Sequence, residues 1–253
     1  MAHPPSSPRP GDTVWQDIKD VGIDFVDLFS RPAHWRGIDW GLCGGSVALI
    51  GSMGGLDGTL RTSAIGERSP TRTTFAELGN TMGRVAPGAI IAATLYTGGL
   101  ALDLPGVRRA GRHVFQSALY AGLVTMSVKG LVGRHRPFLG DGPYVFSGVS
   151  ASDEYNSFPS GHATMAFSVA SSLSADIDHP AATVVLYGLA TITAWSRMYD
   201  DRHWGSDVVA GSILGTVVGY SVATMDDPDA AVPGTGSIRV VPTLNGLAVV
   251  GTW

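Results

Sequence analysis

From residue 12 to residue 30, Val14, Ile18, Val21, Phe25 and Leu28 recur at spacings of three and four, the period of an amphipathic helix. Asp12 or Thr13 is placed to cap its start, and Arg31-Pro32 ends it. The other face carries Asp17, Asp20, Asp24 and Asp27 against one Lys19. Anionic lipid would repel that face, so the expectation is docking on the rest of the chain.

Six apolar-rich segments follow, at 38–56, 84–102, 107–132, 161–175, 181–198 and 203–224. Each has the length and pattern of a helix, and Ser69-Pro70 adds a separate helix start. The fold class read from this is all-α, a bundle of about six core helices preceded by the amphipathic one. Segments 38–56, 84–102 and 203–224 approach the ~20 residues of a membrane span and are rich in small residues that pack helices closely in lipid. They hold few Leu, Ile or Phe, and 161–175 is short for a span; the reading favours a bundle integrated in a membrane, with a soluble bundle as the alternative.

The pattern changes at the C-terminal end. Residues 237–253 read SIRVVPTL-NG-LAVVGTW, β-branched runs on either side of Asn245-Gly246, which predicts a small β-hairpin. Pro242 confines the first strand to an edge. The organisation is then a disordered Pro/Ser-rich start at 1–11, a helical domain at 12–225, and a linker with a hairpin at 226–253.

Composition narrows the partners. Charged residues are 15% of the 253, against about 25% for an ordinary soluble domain. The net charge of −4 removes the electrostatic case for nucleic acid. A single cysteine, Cys43, excludes an internal disulfide and a Cys-based zinc cluster, and reads as a small buried apolar residue. The first twenty residues lack the basic start and apolar run of a secretory signal.

Three clusters carry candidate chemistry. Lys129, Arg134, His135 and Arg136 fall within eight positions of a charge-poor chain, a pattern that also fits a solvated helix C-terminus. Pro159-Ser160-Gly161-His162 opens a helix whose free N–H groups attract an anion, although Ser160 also fits an ordinary N-cap. His203 and Asp207, four apart, share a helix face, either as a carboxylate-oriented imidazole or as an ordinary ion pair. In an up-down bundle all of these, with Ser196 and Arg197, fall at one end. Lys129, Arg136 and Arg197 with helix amides and a hydroxyl suit a tetrahedral dianion such as phosphate. No dense Asp/Glu cluster is present for Mg²⁺ or Ca²⁺, and the two histidines lack a third zinc ligand.

The pattern K-x6-RP, PSGH and SR-x5-H-x3-D resembles the signature of the type 2 phosphatidic acid phosphatase (PAP2) superfamily, which is shared with vanadium haloperoxidases. Lys129, Arg136, Pro137, Pro159, Ser160, Gly161, His162, Ser196, Arg197, His203 and Asp207 fill every signature position. The resemblance implies a metal-independent, cofactor-free phosphatase acting on a lipid phosphate or diphosphate. It implies His203 as nucleophile carrying a phosphohistidine, Asp207 orienting it, and His162 as acid and base. Lys129, Arg136, Ser160, Gly161 and Arg197 would hold the phosphoryl oxygens.

Vanadate-dependent halide oxidation, and a non-catalytic membrane protein retaining a phosphate site, are the alternative functions. Arg134, His135, Asp200, Asp201 and Arg202 are expected as loop residues touching substrate, while His34, His113 and His179 read as structural or surface groups. Arg108, Arg109 and Arg112 in one short connection place that end in the cytoplasm by the positive-inside rule. The site would then face outward in the envelope of a bacterial cell. The oligomeric state is not legible.

Overall fold

The computed structural model describes residues 10–66, 68–225, 237–243 and 246–252, the last two stretches as backbone alone. Nine α-helices occur among the described residues: α1 (Pro10–Ser30), α2 (Gly37–Gly54), α3 (Asp57–Gly66), α4 (Pro70–Met82), α5 (Val85–Ala101), α6 (Pro105–Val132), α7 (Gly161–Ile177), α8 (Pro180–Tyr199) and α9 (Gly205–Ala223). The six apolar segments correspond to α2 and α5 to α9, with ends displaced by up to two residues. Residues 1–9 of the expected disordered start and the linker at 226–236 lie outside the described residues. Strands β1 (Ser237–Thr243) and β2 (Gly246–Thr252) pair antiparallel, with Ser237 opposite Thr252 and Thr243 opposite Gly246.

Local chemistry explains several boundaries. Pro105 and Pro180 occupy the first turns of α6 and α8, where a missing N–H costs nothing. Ser69 caps α4 by accepting from the Arg72 N–H at 3.3 Å. Gly133 ends α6 at φ +61°, and a Cβ there would lie 1.9 Å from the Gly148 carbonyl oxygen. That glycine is therefore required twice, by its left-handed backbone and by the loop crossing over it.

The centre of the bundle is α7 against α9, and it is built from small residues. Gly211, Gly215 and Gly219 on α9 face the α7 backbone at Ser160, Thr164 and Ser168. Thr164, Ser168, Ser171 and Ser172 are buried beside them. Such pairing brings two backbones close and fixes the start of α7 relative to the start of α9. Hydrophobic clusters surround this seam, including Tyr120, Ala121, Val218 and Val222.

The acidic face of α1 docks on the bundle. Asp20 accepts from Arg112 at 2.8 Å, Asp24 from Gln116 at 2.7 Å, and Asp17 from Tyr96 at 2.8 Å, with Arg108 3.5 Å from Asp17. Arg108 and Arg112, two of the three arginines expected in one short connection, thus pair with these carboxylates within the first turns of α6, while Arg109 stays exposed. The outer surface is strongly apolar. Helix α2 buries no residue, and Ile38, Trp40, Leu42 and Val47 are all more than half exposed. Cys43, expected to be buried, is only half-buried there. Among the described residues, α9 is the one helix long and apolar enough to cross a membrane.

Candidate active site

Every sequence-predicted site residue lies at or between helix ends: Lys129 at the end of α6, Arg136 in the following loop, Ser160 to His162 at the start of α7, Arg197 in the last turn of α8, and His203 and Asp207 around the start of α9. The contacts tie these tips together. The Ser160 N–H donates to the Asp207 carbonyl at 2.9 Å, joining the starts of α7 and α9. The His203 N–H donates to the Arg197 carbonyl at 3.2 Å, joining the end of α8 to the loop that carries His203. Lys129 Nζ donates to the Asn156 carbonyl and approaches the Ser157 carbonyl at 3.4 Å, and a Cβ on Gly161 would lie 3.7 Å from the Lys129 stem.

His203 is 4% exposed, and Arg136 Nη1 stands 3.5 Å from its Nε2. Burial, reinforced by Lys129 and Arg136, pushes the imidazole down to about 3 against the opposing pull of Asp207. A neutral ring keeps a lone pair free for attack. Arg197, Arg84, Arg136 and Lys129 all lie within electrostatic range of His162. Gly83 caps the end of α4, and a Cβ there would come within 2.7 Å of the His162 Cβ and Cδ2 atoms.

Of the buried polar atoms that make no hydrogen bond among the described residues, three belong to this cluster: Ser160 Oγ, Arg197 Nε and His203 Nδ1. Two of them are donors in the cationic cluster, and a buried donor without a partner is costly unless a ligand satisfies it. The arrangement suits a tetrahedral oxyanion held between guanidinium groups, an ammonium, a hydroxyl and helix amides. Among the described residues no group of three or more His, Cys, Asp or Glu gathers to hold a metal.

The structure corrects two sequence expectations. His203 and Asp207 do not share a helical face, because α9 begins only at Gly205. Asp207 Oδ2 lies 3.7 Å from His203 Nδ1, beyond hydrogen-bond distance, because that oxygen already accepts from Ser157 Oγ at 2.5 Å and the Trp204 N–H at 2.9 Å. Arg134 does not face substrate: its guanidinium is buried, donating to Asp207 Oδ1 at 2.6 Å and Asp57 Oδ2 at 2.7 Å.

Of the other loop residues, Asp201 pairs with Arg61 at 2.6 Å and Asp200 accepts from Asn80 at 2.5 Å. Asn80 also accepts from Arg197. His135 bonds Asp141 and Ser147, both at 2.7 Å, and Arg202 lies over the Phe138 ring. His113 is buried against Asp176 at 2.9 Å, His179 accepts from the Ala181 N–H, and His34 contacts the Ser30 carbonyl.

Sequence reasoning missed Asp57, Asn80, Gly83, Arg84 and Ser157. Their only signal was a scattering of polar residues among apolar helices, with partners 50 to 149 positions away for Ser157, Asp57 and Asn80.

The PAP2 superfamily model matches residues 111–228. A lipid A 1-phosphatase of Porphyromonas gingivalis is 39% identical over 66 residues, covering 25% of this chain and 15% of that protein. A lipid A 1-phosphatase of Rhizobium etli is 32% identical over 109 residues, 42% of this chain and 45% of that protein. The chain thus spans less than half the length of these curated relatives. Among solved structures, Aquifex aeolicus LpxE aligns with TM-score 0.49 and 18% identity over 66% of this chain and 94% of that one. A transmembrane PAP2 type phosphatidylglycerolphosphate phosphatase from Bacillus subtilis aligns with TM-score 0.44 and 17% identity over 82% and 94%.

Proposed function

We propose that this chain, whose residues 111–228 match the PAP2 superfamily model, is a metal-independent phosphatase hydrolysing a lipid phosphate or diphosphate through a phosphohistidine. The observation that carries the reading is Arg136 Nη1 beside Nε2 of a buried, neutral His203, within a cluster holding two unbonded donors, Ser160 Oγ and Arg197 Nε. Lys129, Arg136, Arg197, Ser160 and the Gly161 N–H take the phosphoryl oxygens and stabilise their charge during transfer.

His203 Nε2 attacks phosphorus, an N–P bond forms, and the P–O bond to the lipid breaks. His162 gives its proton to the leaving oxygen. In the second half His162 takes a proton from water, whose oxygen attacks phosphorus while the N–P bond breaks. Phosphate leaves and His203 is regenerated. Asp207 is the negative charge behind the imidazole that offsets the cation developed on it.

The relatives named lipid A 1-phosphatase support a lipid-linked phosphate as the substrate class. The exposed apolar faces of α2, α5 and α8 support a bundle embedded in a bilayer, with the helix-end site at a face where a lipid headgroup lies. Residues 12–225 form the phosphatase domain in this reading.

Phosphate release from a panel of phosphatidate, a polyprenyl diphosphate, a lipid A type glycolipid and a soluble monoester tests it. Release from at least one lipid, unchanged by chelator and abolished in His203→Ala, is the expected outcome. A phosphate adduct on His203 that is acid-labile and base-stable should be trapped by rapid quench. Full turnover by His203→Ala, or loss of turnover on chelation, overturns the reading.

A further inference from the structure

Behind the nucleophile lies a buried charge cluster that the reaction above uses only through one member. Asp57 opens α3 and is fully buried, as is Asp207 at the start of α9. Arg134, 4% exposed, lies between them. Its Nη1 donates to Asp207 Oδ1 at 2.6 Å and to Ser206 Oγ at 2.7 Å, while Nη2 donates to Asp57 Oδ2 at 2.7 Å and to the Pro143 carbonyl at 2.6 Å. Asp57 also accepts from the Ser206 N–H at 2.8 Å and from Ser206 Oγ at 2.7 Å. Trp204 and Phe146 rings lie 5.7 Å from the guanidinium carbon.

We propose that Asp57 and Arg134 are positioning residues that set the charge and aim of the Asp207 carboxylate behind His203. The inference rests on the phosphatase reading and deepens it. A lone Arg134–Asp207 pair would cancel its own charge and leave no counter-charge for the cation that forms on His203. Asp57 supplies the second carboxylate, so the buried trio keeps one net negative charge facing the ring. Without Arg134, two carboxylates would be left within one dry site, and they would share a proton rather than both ionise.

The other charged groups facing Asp207 are His203, Lys129 and Arg136, and all three belong to the phosphate site itself. The trio also ties α3 to the loop after α6 and to the start of α9, which fixes the carboxylate's position as well as its charge.

Full-length protein in detergent, assayed on whichever lipid phosphate the wild type hydrolyses, tests this. Asp57→Asn should lower kcat about 10- to 100-fold, the cost of removing a partner that orients a site ligand, with KM and inorganic phosphate affinity unchanged. Arg134→Met should lower kcat and move the acid limb of kcat/KM toward neutral by about one pH unit or more. Arg134→Lys should bring that limb back. If Arg134→Met does not fold, Asp57→Asn decides the matter.

Wild-type kcat in Asp57→Asn, or an unshifted acid limb in folded Arg134→Met, overturns the inference while leaving the phosphatase reading intact. A wild type that releases phosphate from no substrate overturns the phosphatase reading itself.

Discussion

Arg136 Nη1 stands 3.5 Å from Nε2 of His203, the ring nitrogen on the side away from Asp207. The rest of that guanidinium is fixed: Nε donates to the Asp153 carbonyl at 2.6 Å and Nη2 to Asp153 Oδ1 at 2.7 Å. Arg136 is thus held in place by the chain itself, with one arm directed at that ring nitrogen. Preorganised donors of this kind cost little rearrangement when charge develops.

Arg136→Ala should therefore lower kcat by about 10²- to 10³-fold, the usual cost of losing one such donor. Arg136→Lys keeps the charge but cannot hold Asp153 and reach His203 together, so it should recover only part of the loss. Steady-state phosphate release with both variants checks this, and equal activity of Arg136→Ala and wild type would contradict it.

The burial of His203 predicts a pH dependence of stability. Its imidazole titrates at about 3 in the fold, below the ordinary 6.5 that the unfolded chain regains. The unfolded chain therefore binds the proton first as pH falls. The neutral ring's contribution is complete above about pH 6.5 and is lost progressively down to about pH 3, by up to about 1.4 kcal/mol per pH unit. Thermal unfolding in detergent between pH 7 and pH 4 should show a shallower acid decline for His203→Asn than for wild type. Parallel curves would show that His203 is not held neutral.

The packing of Gly83 against His162 gives a steric prediction. Gly83 has an ordinary φ of −80°, so alanine there carries no backbone strain. The added methyl would nevertheless come within 2.7 Å of His162 Cβ and Cδ2 and of Thr193 Cγ2. Gly83→Ala should displace the imidazole and lower kcat by up to about 10²-fold, the cost of a misplacement of about 1 Å. Unchanged kcat with a shifted KM would show that His162 tolerates the move.

How far the sequence disclosed this site depends on the range of each interaction. Lys129, Arg136, Ser160 and His203 stand in short motifs at helix ends, so local pattern and end-of-bundle topology brought them together. Arg134 stands inside the same motif yet was misread, because a charged loop residue is ordinarily solvated and its two carboxylate partners lie 73 and 77 positions away. Helix α3 escaped for a different reason: ten residues holding only Leu60, Ala64 and Ile65 as apolar side chains leave no periodic stripe to read. The expected His203–Asp207 hydrogen bond failed on a boundary, since two residues of non-helical backbone precede α9 and redirect the ring.

The seam between α7 and α9 supplies the last prediction. A Cβ on Gly215 would lie 2.3 Å from the Thr164 carbonyl oxygen and 2.9 Å from the Ser168 backbone nitrogen, both main-chain atoms of α7. Neither can yield by rotating a side chain, so α9 must move as a unit. The same two helices carry Ser160, Gly161 and His162 at one start and Asp207 at the other. Gly215→Leu should therefore destabilise the fold by about 1–3 kcal/mol or more and lower activity together with stability. Gly188, with open space around its Cβ position, is the matched control on α8. Gly188→Leu should leave both melting temperature and phosphate release near wild type. If the two variants melt alike, the seam is not what holds the helix starts in register.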